Sequence, residues 1–122
     1  MSESAQPQVI TVSERDGITV LRVEASQLTN LQTVDHFAEQ LVTLVSAGNS
    51  DDYIVDFGGV TFIVTPAVNA LLQAKKQATA RDGRLVVVGL NENIRRVFQL
   101  MTLDRVLLLE PDLDAAVAHL KG

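Results

Sequence analysis

The chain has 122 residues, 47% of them hydrophobic, and carries a formal charge of −5 with no cysteine. That length and composition fit one globular domain able to bury its own core, and they exclude disulfide staples, thiolate catalysis and cysteine metal sites. Negative charge predicts overall repulsion from nucleic acid, and aromatics at only 4% leave few stacking platforms for bases, so nucleic acid is not expected as a direct partner.

The opening MSESAQPQ has neither a basic nor an apolar segment and is not read as a secretory signal. No apolar run is long enough to span a bilayer. A cytoplasmic protein is the expectation. Residues 1–7 are read as a disordered lead and residues 8–122 as a single domain. Gln8–Ser13 and Ile18–Val23 are rich in β-branched residues. Asp16-Gly17 between them is a strong hairpin signal. Ala25–Asn30 reads as a polar loop in which Thr29 or Asn30 caps a helix. Val34, Phe37, Ala38, Leu41, Leu44 and Val45 draw one apolar stripe along that helix, and Gly48-Asn49 ends it.

Tyr53–Phe57 is a short strand followed by a Gly58-Gly59 turn. After the apolar run Phe62–Val64, the spacing predicts a second helix from about Thr65 to Arg81, with Val68, Leu71, Leu72 and Ala78 buried. Thr65 stands where an N-cap is expected and Pro66 suits the first helical position. Asp82-Gly83 closes the helix. Leu85–Val88 lacks alternation, which predicts a parallel strand covered on both faces. Asn91 caps a third helix with the stripe Ile94, Val97, Phe98 and Met101. Val106–Leu109 is the next strand. Pro111-Asp112 opens a last helix carrying Leu113, Ala116, Val117 and Leu120. The order β-β-α-β-α-β-α-β-α implies an α/β fold: a mixed, mostly parallel sheet opened by an N-terminal hairpin.

Most signatures of catalysis are missing, which makes an enzyme the minority reading. His36 and His119 have no partner at metal-ligand spacing, Gly58-Gly59 leads into a strand-like run and not a helix, and no Gly-x-Ser-x-Gly elbow occurs. Asp51-Asp52 and Asp112/Asp114 look like entries to secondary structure and not like an acid/base pair. No catalytic residue, metal or cofactor is expected. The Thr65-Pro66 junction reads first as ordinary helix-start chemistry. A phosphate on Thr65 would, however, meet the free amides and macrodipole of a helix N-terminus.

The stretches Val55–Ile63 (VDFGGVTFI), Ala70–Val106 and Asp114–Leu120, in this order, make the chain resemble STAS domains of the anti-sigma factor antagonist type. Asp82-Gly83-Arg84-Leu85, Arg95-Arg96 and Leu103-Asp104-Arg105-Val106 match the later family pattern. The similarity runs from Val9 to about Leu120. It implies a sheet with helices mainly on one side. The family's Asp-Ser-Ser-Gly falls on Val64-Thr65-Pro66-Ala67, so Thr65 takes the place of the serine that a partner kinase phosphorylates. Its Gly-x-Leu-Asp signature falls on Ala25–Thr29, with Leu28 matching and Thr29 in place of the aspartate. The hydroxyl is kept, while both flanking acids and the glycine are replaced.

The resemblance implies a non-enzymatic regulatory module whose partner surface comprises Leu28, Thr29, Val64, Thr65, Pro66, Ala67, Val68 and Asn69. The expected partner is an anti-sigma factor with kinase activity or another regulatory protein, and the expected state is a monomer or weak dimer. The alternative is a divergent STAS scaffold or assembly subunit without a working phospho-switch, including the STAS component of a lipid-transport complex.

Overall fold

The computed structural model describes residues 8–48 and 50–122; the expected disordered lead at 1–7, and Asn49 of the first helix end, lie outside the described residues. The chain order is β1 (Ile10–Arg15), β2 (Ile18–Val23), β3 (Gln27–Leu28), α1 (Leu31–Ser46), β4 (Asp52–Asp56), β5 (Phe62–Ile63), α2 (Thr65–Thr79), β6 (Arg84–Val88), α3 (Glu92–Leu100), a 3-10 turn (Leu103–Arg105), β7 (Leu108–Glu110) and α4 (Leu113–Lys121). Five strands form one sheet in the order β1-β2-β4-β6-β7. Only β1 runs antiparallel; β2, β4, β6 and β7 pair in parallel. Asp16 and Gly17 both take positive φ, 53° and 81°. Those angles suit the two-residue turn whose twist matches a hairpin, and Arg15 duly pairs with Ile18.

The three central strands are apolar on both faces because each face meets helices. Leu21, Val23, Tyr53, Val55, Leu85 and Val87 pack into the larger core with α1, α2 and α3. Their alternating neighbours Val20, Ile54, Val86 and Val88 pack against Ala116, Val117 and Leu120 of α4. The helices thus lie three on one face and one on the other. Leu85–Val88 is buried along its whole length, as its lack of alternation predicts. Phe37 of α1 and Phe57, just beyond β4, are both fully buried and meet edge-to-face, with ring centroids 6.1 Å apart at 79°.

Three expectations shift. β1 starts two residues later than predicted and extends to Arg15. The last strand is Leu108–Glu110 and not Val106–Leu109: Thr102 turns left-handed (φ 61°), and the Leu107 N–H donates to the Leu103 carbonyl at 2.8 Å, so the chain is still coiled there. On α3, Ile94 and Phe98 are buried but Val97 and Met101 stay exposed, because no described element covers that side of the short helix.

Candidate functional site

One long-range ladder brings the loops at the carboxyl ends of the parallel strands together, the usual place for a site in such sheets. β3 and β5 pair in parallel, Gln27 with Phe62 and Leu28 with Ile63. Around them, the Thr61 N–H and hydroxyl both donate to the Ser26 carbonyl, at 2.7 and 3.0 Å, and the Val64 N–H donates to the Leu28 carbonyl at 3.0 Å. This register carries Thr29 alongside Val64. The segment after β2 and the entry to α2 are therefore one surface, although they lie more than thirty residues apart in sequence.

Asn91 ties a third loop on. Its Oδ1 caps α3 by accepting from the Ile94 N–H at 2.8 Å, while its Nδ2 donates to the Thr61 carbonyl at 3.1 Å. Asn91→Ala removes both bonds and is expected to cost about 1–2 kcal/mol. Asn91→Asp keeps the cap but loses the donor and should cost less. Urea midpoints of the two variants measure the split. Gly89 closes the same edge: at φ 76°, its hypothetical Cβ would lie 2.8 Å from the Gly58 nitrogen, so only glycine lets these loops approach.

Val64 is half strand and half helix. Its N–H belongs to the ladder, its backbone is extended (φ −110°, ψ 163°), and its carbonyl accepts from the Ala67 and Val68 N–H groups at 2.9 and 3.3 Å. Val64 is accordingly the N-cap and Thr65 the first helical residue, one position earlier than the sequence predicts. The Thr65 side chain does not cap the helix. It is exposed and makes no hydrogen bond among the described residues. The other three α-helices start differently. Asn30 accepts from the Gln32 and Thr33 N–H groups, Asn91 from Ile94, and Asp112 from Ala115. Among the described helices, only α2 begins with neither a capping side chain nor an acid in its first turn, so its macrodipole is left uncompensated where Thr65 sits.

The eight residues expected at a partner surface separate by exposure. Thr29, Thr65, Pro66 and Asn69 are exposed and Val64 is half-buried, whereas Leu28, Ala67 and Val68 are buried in the core. The last three support the surface without presenting their side chains. The nearby carboxylates at the ends of β2 and β4 are already engaged: Asp56 accepts from the Gly58 N–H at 2.8 Å and pairs with Arg22 at 3.3 Å, and Arg22 also approaches Glu24 at 3.9 Å. His36 lies on α1. His119 contacts Glu110 at 2.8 Å from α4, on the other face of the sheet. Among the described residues, no cluster of three or more His, Asp or Glu could hold a metal, and no helix is long and apolar enough to cross a membrane.

A model of the STAS domain family matches residues 9–116. The chain belongs to the STAS domain family. Solved structures share the fold. An anti-sigma factor antagonist from Mycobacterium paratuberculosis superposes with a TM-score of 0.81 at 21% identity, over 93% of each chain. An anti-sigma-factor antagonist (STAS) domain protein from Planctomyces limnophilus gives 0.81 at 17% identity, over 93% of this chain and 98% of that one. The Bacillus cell fate determinant SpoIIAA, solved in its phosphorylated form, gives 0.66 at 18% identity, over 90% and 97%. No curated protein matches the chain.

This STAS domain exposes apolar side chains that the sequence reading did not single out. Phe62, in the ladder beside the Thr65 junction, is 55% exposed, and Leu31, which opens α1 just after Thr29 and Asn30, is 74% exposed. The available signal was the two-residue alternation of β5, which sends Ile63 inward and Phe62 outward. It is invisible until β5 is known to be a strand.

Proposed function

We propose that this STAS domain acts by binding and not by catalysis: it is an anti-sigma factor antagonist that engages an anti-sigma factor with kinase activity, and phosphorylation of Thr65 weakens that contact. The setting is cytoplasmic. The observation that carries the reading is the exposed Thr65 hydroxyl, unbonded among the described residues, at a helix start that lacks both a side-chain cap and a first-turn acid. A phosphate there gains favourable interaction with the helix terminus, so the modified state costs the fold little. Around it, Phe62, Leu31 and half-buried Val64 offer apolar contact area, and a new dianionic group amid such a contact is expensive to desolvate. SpoIIAA, whose fold is similar, has been solved in a phosphorylated form.

A second reading is favoured by Val64 and Thr29, which stand where the acids of the family motif are expected. Without those acids the domain is a constitutive scaffold or assembly subunit, of which a lipid-transport complex is one setting. Incubation with the anti-sigma kinase and Mg-ATP separates the two. The switch reading expects a single phosphate that is absent from Thr65→Ala. Unmodified protein that still binds the partner supports the scaffold, and failure to bind any anti-sigma factor removes the antagonist role.

A further inference from the structure

The charge of the chain is unevenly distributed. Of its ten Lys and Arg and fifteen Asp and Glu, seven bases but only three acids lie between Phe57 and Leu109. Three elements on one side of the sheet, α2, α3 and the turn that follows, carry five of those bases (Lys75, Lys76, Arg95, Arg96 and Arg105) and two of the acids (Glu92 and Asp104). On that side the second half of α2 and the chain leaving the 3-10 turn enclose an apolar groove of about 470 Å³, lined by Leu72, Lys75, Lys76, Thr79, Ala80 and Val106. This stripe is distinct from the face that α2 buries, which runs through Val68, Leu71, Ala74 and Ala78. Val106 is 46% exposed, one of four large exposed apolar residues between Val97 and Val106.

The cations around the groove are uncommitted. Arg15, Arg22 and Arg84 pair with Asp114, Asp56 and Asp52. Lys75 and Lys76, which line the groove, and Arg105, next to Val106 in sequence, have no ion pair among the described residues. The acids nearest in sequence are Asp104, adjacent to Arg105, and Asp82, beyond the end of α2. An apolar groove edged by two unpaired lysines selects an occupant with an apolar stripe flanked by acids. From Leu72 to Ala80 the groove follows α2 for about 12 Å, about two helical turns. That length suits the i, i+4 and i+7 anchors of a helix laid into a groove.

We infer that the groove between α2 and Val106 docks an acidic amphipathic helix of a partner protein, at a site separate from the Thr65 surface. The inference does not depend on the antagonist reading. The test is a titration of the isotope-labelled full chain, followed by amide NMR shifts, with a designed 14-residue helical peptide carrying Leu at the three anchor positions and Glu on the flanks. Saturable shifts at Leu72, Lys75, Lys76, Thr79 and Val106 are expected. Lys75→Gln/Lys76→Gln should weaken binding at least tenfold, while Lys121→Gln and Thr65→Glu leave it unchanged. The same peptide with Lys in place of Glu should not bind. The inference is overturned by shifts that map elsewhere, by equal binding of the Lys peptide, or by an unchanged affinity in the double variant. It is also overturned if Thr65→Glu abolishes binding, or if groove resonances move when the protein alone is diluted, since the occupant would then be a second copy of this chain.

Discussion

If the domain engages an anti-sigma factor as proposed, Thr65→Glu is expected to lower that affinity at least tenfold while leaving the domain as stable as the parent or slightly more so. The two effects have opposite signs because they act on different states. In the free domain, a carboxylate in the first turn of α2 meets an uncompensated helix N-terminus; such placements contribute about 0.3–1 kcal/mol at low salt. In the proposed complex, the same carboxylate would lose water beside the apolar contact area of exposed Phe62 and half-buried Val64, and without a partner cation that costs more than the dipole returns. Thr65→Ala should bind as the parent does, since the hydroxyl makes no bond in the free domain. Calorimetric titration gives the affinities and thermal melts give the stabilities. Equal binding by the Thr65→Glu variant would sink the switch, whatever its melting temperature. A fall in both affinity and stability would instead mean that α2 had lost its start, and that the hydroxyl supports the fold.

Much of this architecture is legible in local chemistry. Asp16-Gly17, the unbroken apolar run Leu85–Val88, and the caps Asn91 and Asp112 each do in the fold what their residue types dictate. What escapes is either non-local or carried by weakly hydrophobic residues. Ala67, Ala70 and Ala74 of α2 are all buried, yet alanine barely marks a stripe; its value is the small volume that lets α1 and α2 pack closely. The β3–β5 ladder contains two residues per strand. No periodicity can be read from two residues, and the polar stretch Ala25–Asn30 looks like a loop because it is one except at Gln27 and Leu28. That ladder makes the site a single surface. The residues assigned to it by resemblance do come together, but the ladder and the core take Leu28, Ala67 and Val68 inward. Whether the exposed remainder binds a partner is the question the Thr65 variants address.

Phe57→Ala is expected to be the most damaging single truncation near the site, at about 3–5 kcal/mol, a large part of the 5–15 kcal/mol typical of a domain. Phe57 is fully buried, so its removal leaves a cavity that the β4 backbone cannot close. Its N–H donates to the Val88 carbonyl and its carbonyl accepts from the Val60 N–H, both at 2.9 Å. The ring also meets Phe37 edge-to-face, and such pairs contribute about 0.5–1.5 kcal/mol beyond area burial. Phe37→Ala should therefore cost a similar amount, and the double variant less than the sum of the two. Urea denaturation of the four proteins measures this cycle, with Val12→Ala on the exposed edge strand expected within about 0.5 kcal/mol of the parent. The site feels the same change. The Phe57–Val60 turn leads directly to Thr61, whose bonds to Ser26 and Asn91 hold the ladder. At temperatures where Phe57→Ala remains folded, it should still weaken partner binding, whereas Phe37→Ala, which truncates the same contact from α1, should spare binding. Equal losses from the two would place the coupling in the core as a whole and not in the turn that Phe57 begins.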